Sequence, residues 1–121
     1  MKQYRKENEP IKILAAEGSY WTVNWKMVKY FKGIDEAIML GYLCSMQLLY
    51  GNEVGGFYRT IPSVKADTTF AGRRQRKAIQ RLVKEGLIET ANLGMPQKRY
   101  FRICSDRLEE FLESLRKAEL N

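Results

Sequence analysis

The fold is decided by residues 60–86, whose sequence is TIPSVKADTTFAGRRQRKAIQRLVKEG. Thr60 is a favourable N-cap, and Pro62 suits the first turn of a helix because the backbone N–H groups of that turn have no partner within the helix. The sequence therefore predicts a short helix, a turn, and then a longer helix over Arg73–Glu85, which Gly86 ends in a left-handed cap.

The segments on either side of these two helices complete the pattern of one small domain. Upstream, Asp35–Tyr50 is apolar around most of a helical circumference, which indicates a helix in the middle of a core, and Phe57–Ile61 predicts a short strand. Downstream, Leu87–Ala91 and Lys98–Cys104 predict two strands joined by a turn. This order is that of a winged helix-turn-helix, an α+β fold that is mostly helical, with a two-stranded wing and a C-terminal helix.

Three regions follow from this assignment. Residues 1–19 are a charged tail that we expect to be flexible, and residues 20–104 are the winged-helix domain, beginning with a short strand over Tyr20–Asn24 and one or two helical turns over Trp25–Lys32. Residues 105–121 predict an amphipathic helix that serves either packing or dimerisation. The stripe that would pack on the chain's own core or on a second copy is Leu108, Phe111, Leu112 and Leu115.

The positive charge of the chain is concentrated in its middle third. The 121 residues contain 21 basic and 14 acidic side chains, a net charge of +7. The segment Arg59–Arg102 holds 11 basic and 3 acidic residues, whereas Met1–Tyr58 is nearly balanced and Ile103–Asn121 is slightly acidic. Because surfaces usually mix both signs of charge, this asymmetry predicts a binding region for a polyanion.

Several function classes are excluded by the residues that the chain lacks. It has no histidine, which removes histidine general bases, Ser-His-Asp triads and zinc sites that contain histidine. Its two cysteines lie 60 positions apart, too far for a Cys-x-x-Cys metal site. We therefore expect no enzyme activity, no cofactor and no metal. The sequence also shows neither a signal peptide nor a membrane span, which predicts a cytoplasmic protein.

A step of about 100° per residue divides the longer helix into a basic stripe and an apolar stripe. A recognition helix in the major groove needs this division, and its N-terminal part goes deepest. We therefore expect Arg73, Arg74 and Lys77 to enter the groove, where a guanidinium can pair with guanine. The other predicted contacts, from the short helix, the turn, the end of the longer helix and the wing over 92–99, are Lys65, Thr68, Thr69, Arg81, Lys84, Lys98 and Arg99.

The same residues resemble a known family. The motifs that carry the resemblance are Gly56–Ile61, Asp67-Thr68, Gln75–Ile79, Leu82–Ile88 and Gly94–Ile103. They are similar to the winged-helix domain of phage and mobile-element replication proteins of Gram-positive bacteria, the replisome organisers and DnaD-like amino-terminal domains, and to plasmid replication initiators.

The resemblance implies binding of double-stranded DNA at a replication origin or operator, often as a homodimer, together with replication or transcription proteins. One departure concerns the residue before the longer helix, where Ala71 replaces the serine cap that is common in this family. Two other interpretations remain open at this stage. The basic helix face could be merely solvated, or a winged helix could bind an acidic protein partner instead of DNA.

Overall fold

The computed structural model of the protein describes residues 23–51 and 56–120. The predicted tail over 1–19 lies outside these ranges, as does most of the predicted strand Tyr20–Asn24. Its last two residues, Val23 and Asn24, are irregular rather than extended in a sheet. Asn24 instead caps the first described helix, because its side-chain oxygen accepts hydrogen bonds from two backbone N–H groups of the first turn.

The described chain is a mostly helical α+β fold with one three-stranded antiparallel sheet. The strands lie in the order β1-β3-β2, so that β3 is central. The elements are α1 (Trp25–Phe31), α2 (Ile34–Tyr50), β1 (Phe57–Tyr58), α3 (Ile61–Thr68), α4 (Gly72–Lys84), β2 (Ile88–Leu93), β3 (Lys98–Ile103) and α5 (Ser105–Leu120).

The local signals around α3 and α4 act as the sequence predicts, with small shifts. The hydroxyl oxygen of Thr60 accepts a hydrogen bond from the backbone N–H of Ser63 at 3.1 Å, and Pro62 lies in the first turn of α3. The connection to α4 turns at Thr69, whose φ of 69° is left-handed. Ala71 precedes α4 and provides no side-chain cap, so α4 begins at Gly72 with its first N–H groups available.

One helix end differs from the prediction. The glycine that follows the predicted turns over Trp25–Lys32 predicts a left-handed cap at Gly33, but the left-handed residue is Lys32, with φ 57°, and Gly33 is extended. The backbone N–H groups of Lys32 and Gly33 both donate to the carbonyl of Val28, which closes the end of α1. The chain thus turns one residue earlier than the glycine indicates.

The centre of the core is α2, as its apolar circumference predicts. Met39, Leu40, Tyr42 and Leu43 are all almost completely buried, and α2 contacts α1, α4 and the sheet. Burial of each large apolar side chain contributes about 1.5–3 kcal/mol to folding. Although α2 is apolar, no helix in the described ranges is long and apolar enough to cross a membrane.

The C-terminal helix packs on the core of its own chain. Phe111 is 1% exposed and Leu115 is 9% exposed, Leu108 packs against the same cluster, and only Leu112 of the predicted stripe is exposed. The Phe111 ring meets the Tyr30 ring of α1 edge-on, with centroids 4.9 Å apart. Of the two roles that the sequence leaves open for this stripe, the structure shows packing, with Phe111 and Leu115 buried and Leu108 partly buried against the core of the same chain.

Candidate nucleic-acid interface

The most strongly basic surface of the described chain is one side of α4. This helix contains six basic residues and no acidic residue. Its opposite side holds the helix on the core, and the side chains buried there are Gln75, Ala78, Ile79 and Leu82. The outward side, which we call the α4 face, is made of Arg73, Arg76, Lys77, Gln80 and Lys84.

The cations of the α4 face are free to bind an anion. Within the described residues, Arg73, Arg76, Lys77 and Lys84 make no ion pair with an acidic side chain, although acidic residues elsewhere pair with other arginines. Four like charges on three turns of helix repel one another, and a polyanion relieves this repulsion.

Two members of the α4 face, Arg76 and Gln80, are absent from the predicted contacts. By sequence Val83 belongs to the apolar stripe of this helix, but its side chain is 41% exposed, whereas the polar residue Gln75 is fully buried. On the helical wheel Gln75 lies between Leu82 and Ile79, inside the apolar stripe, and Val83 lies at the edge of that stripe, so the buried sector of α4 is shifted by only about 20°. Arg76 and Gln80 lie outside this sector, so the wheel itself contains the signal that places them on the outward side.

Arg74 is held by a partner that lies far away in the sequence. Its Nε and Nη2 atoms each donate a hydrogen bond of 2.7 Å to the carboxylate of Asp35, at the start of α2, and its guanidinium lies 4.0 Å from the Phe70 ring centroid. The hydrogen bond from Arg74 lowers the pKa of the Asp35 carboxyl. In this structure Arg74 thus links α2 and α4, and the predicted entry of Arg74 into a groove, which would have to break this ion pair, stays a prediction.

Arg81 is also engaged within the chain. Its Nε atom lies 3.4 Å from the carboxylate of Glu85, which in turn accepts a hydrogen bond of 2.8 Å from the hydroxyl of Tyr30. The Arg81 guanidinium also lies over the Phe31 ring, 5.5 Å from its centroid. A phosphate would therefore have to compete with Glu85 and the Phe31 ring for the guanidinium of Arg81 at the end of α4.

A buried amide fixes the start of α4 against the sheet. The Gln75 side chain donates through Nε2 to the carbonyls of Ile61, at 3.0 Å, and Phe70, at 2.7 Å. Its Oε1 atom accepts a hydrogen bond of 3.0 Å from the guanidinium of Arg99 on β3. Arg99 donates further to the carbonyl of Arg59, and burial lowers its pKa. The guanidinium of Arg99 is thus bonded inside the fold, and its predicted DNA contact, which would have to break these hydrogen bonds, stays a prediction.

The reason for this placement is the alternation of side chains along a strand. Phe101 is buried on the inner face of β3, so Arg99, two residues earlier, faces inward as well. Lys98 and Tyr100 face the other way, and Lys98 is exposed, as the prediction for this residue requires. The signal in the sequence was Phe101: a residue two positions from an apolar strand residue faces inward, as Arg99 does, and a residue three positions away faces outward, as Lys98 does.

The same network continues to α2 and α3. Arg59 forms an ion pair with Asp67 and donates a hydrogen bond of 3.1 Å to the hydroxyl of Tyr42, which donates to Asp67 at 2.5 Å. Burial, followed by the hydrogen bond to Asp67, raises the pKa of Tyr42 to about 12. Tyr42 thus stays neutral and acts as a hydrogen-bond donor at the base of the site.

The three contacts predicted around the turn have different environments. Lys65 and Thr69 are exposed beside α4, where both side chains can reach a ligand. Thr68 is 7% exposed, its hydroxyl donates to the carbonyl of Val64 at 2.7 Å, and the same oxygen accepts from the N–H of Phe70 at 3.1 Å. The hydroxyl of Thr68 is thus buried and already bonded within the turn, so its predicted DNA contact stays a prediction that these hydrogen bonds do not favour.

The described ranges contain no group of three or more histidine, cysteine, aspartate or glutamate side chains that could hold a metal ion. Comparisons with known proteins show no significant relative of this chain. No family model matches it, and neither a curated protein nor a solved structure matches it significantly.

Proposed function

We propose that the protein is a winged helix-turn-helix protein that binds double-stranded DNA with sequence preference, placing α4 in the major groove. The observation that supports this proposal most strongly is the α4 face, where four exposed cations and Gln80 stand on a helix whose other side is buried. An α-helix fits the major groove, and an arginine there can form two hydrogen bonds with guanine, while glutamine can do the same with adenine.

Two further elements fit the same ligand. Lys65 is exposed on α3, next to α4. Lys98 is exposed at the start of β3, and the residue after it, Arg99, is hydrogen-bonded to Gln75 of α4. In this proposal Lys65 and Lys98 contact phosphates, and the hairpin of β2 and β3 acts as the wing on the backbone or in the minor groove. Lys77 and Lys84 contribute as point charges along the helix.

The biological part of the proposal rests on the family resemblance. It is a role in replication initiation or transcription control of a phage or another mobile element, carried out in the cytoplasm with replication or transcription proteins. A homodimer on a palindromic site would use a face other than the stripe of α5, since that stripe packs within the chain.

The test is a fluorescence-anisotropy titration of a labelled random duplex at several salt concentrations. If the protein neutralises about five phosphates, the logarithm of its affinity falls with the logarithm of salt with a slope near −4.5. We expect the double substitution Arg73→Ala, Lys77→Ala to weaken binding and to reduce that slope by about 2.

A matched control removes two exposed lysines of other helices, Lys29→Ala on α1 and Lys117→Ala on α5. This control keeps the same net charge as the test variant and should retain most of the affinity. Equal losses in both variants, or no duplex binding at low salt, would contradict the proposal. Selection of bound DNA from a random library then tests sequence preference. If no sequence is enriched in the selected pool, the proposed sequence preference is contradicted.

A further inference from the structure

The outer face of the sheet carries aromatic side chains at its surface. On β3, Lys98, Tyr100 and Arg102 alternate with the inward-facing residues, and the partner of Tyr100 on β1 is Tyr58. Tyr58 is 45% exposed, and Tyr100 is half-buried beside it, with ring centroids 5.9 Å apart and an angle of 51° between the rings. We call this surface the tyrosine face.

Basic charge accompanies the two rings. The ammonium nitrogen of Lys98 lies 4.8 Å from the centroid of the Tyr58 ring, a cation–π distance. Arg102 lies on the same side of β3, although it is paired with Glu89 at 2.6 Å. The opposite strand adds the small side chain of Ala91 across from Tyr100, which leaves room over the ring.

Tyr100 separates two open clefts. One, of about 380 Å³, is lined by Tyr50, Tyr58, Ser63 and Tyr100 among others, and the other, of about 340 Å³, by residues of β2 and β3 that include Ala91 and Tyr100. Both volumes lie in the range of about 300–1,000 Å³ that is usual for sites of small planar molecules. A flat ligand can therefore lie against Tyr100 from either side.

We propose that the tyrosine face binds single-stranded nucleic acid by stacking unpaired bases on Tyr58 and Tyr100, with Lys98 contacting the backbone. Aromatic rings with adjacent cations on an open sheet are suited to this ligand, because every base presents a flat face that a duplex hides within its stack. An acidic protein surface would satisfy Lys98 but would leave the exposed Tyr58 ring and the half-buried Tyr100 ring without a planar partner. This inference does not depend on duplex binding by α4, since Tyr58 and Tyr100 take no part in that proposal and Lys98 is the one residue named in both.

The test is an anisotropy titration with three labelled strands of about 20 nucleotides: oligothymidylate, oligouridylate and an abasic strand of equal charge. We expect the wild-type protein to bind the strands with bases at least fivefold more tightly than the abasic strand, in line with the usual contribution of one stacked base. The comparison of oligothymidylate with oligouridylate shows whether DNA or RNA is preferred.

The variant Tyr58→Leu removes an exposed ring, and we expect it to weaken oligothymidylate binding roughly fivefold or more, while Tyr58→Phe retains the affinity. Trp25→Leu is the matched control, since Trp25 is an exposed aromatic residue on α1, 72% exposed. Equal binding of the abasic strand, or equal losses in Tyr58→Leu and Trp25→Leu, would overturn the inference. Tyr58→Leu should leave the affinity for the duplex within twofold of the wild type. If the wild-type protein binds the single strands but not the duplex, the proposed function is refuted and this inference is not.

Discussion

Replacement of Gln75 by leucine should destabilise the protein far more than its position on a helix indicates. The side chain is fully buried and makes three hydrogen bonds, two as a donor to backbone carbonyls and one as an acceptor from Arg99. Leucine has a similar volume but satisfies none of these groups. Gln75→Leu therefore leaves two carbonyls and a half-buried guanidinium without their partner.

The size of the effect follows from those three bonds. Each bond to a carbonyl contributes about 1 kcal/mol, and the bond to the charged guanidinium contributes about 1.5–3 kcal/mol. Burial of the apolar atoms of leucine offsets about 1 kcal/mol of this loss in the free energy of unfolding. We expect a net loss of about 2–4 kcal/mol in the free energy of unfolding, which lowers the melting temperature of a domain of this size by about 8–15 °C.

The assay is urea and thermal denaturation followed by circular dichroism, with Gln80→Leu as the control. Gln80 lies on the same helix, is exposed, and undergoes the same chemical change, so its substitution should stay within about 0.5 kcal/mol of the wild type. The reasoning is refuted if the two variants have equal stability. A second measurement isolates the pair: Arg99→Leu added to Gln75→Leu should cost less than it does in the wild type.

Two further predictions concern other contacts. Asp35→Asn should reduce the amount of stability that the protein loses in acid. Because the pKa of Asp35 is lowered in the fold, its carboxylate stabilises the fold above the ordinary pKa of aspartate, and this stabilisation disappears as the pH falls through the lowered pKa. Because the pair with Arg74 is partly exposed, we expect a difference of less than about 1 kcal/mol between about pH 5 and pH 2, measured by urea denaturation; identical pH profiles would contradict it. Phe111→Ala should cost about 3–5 kcal/mol, and its melting temperature should not depend on protein concentration, because the contact lies within one chain; a concentration-dependent loss would indicate a dimer interface instead.

Local signals in the sequence were sufficient to predict most of the fold. The cap at Thr60, the proline after it and the apolar stripe of α4 place two helices within about two residues of their observed ends. These signals act over one or two turns of chain, so a single sequence contains them completely. The C-terminal helix was also predicted. Whether its apolar stripe packs on the core of the same chain or on a second copy depends on residues distant in sequence, which a local pattern does not identify.

The candidate site was less predictable, because its details depend on partners distant in sequence. Asp35 lies 39 residues from Arg74, and no local pattern joins them. The burial of Gln75 likewise depends on Arg99, 24 residues away, which satisfies its oxygen. A basic or polar residue on the border of a helix face can therefore be assigned to the ligand side or the packing side only when its partners are known.

The chain of bonds from Gln75 through Arg99 to β3 also has a thermodynamic consequence for any ligand that touches both α4 and the hairpin. The spacing between these elements is set before the ligand arrives, so association does not have to order the backbone. The entropy that remains to be lost belongs to long exposed side chains such as Arg73 and Lys77. The scaffold is thus a preformed template, on which only the tips of the side chains have to adapt.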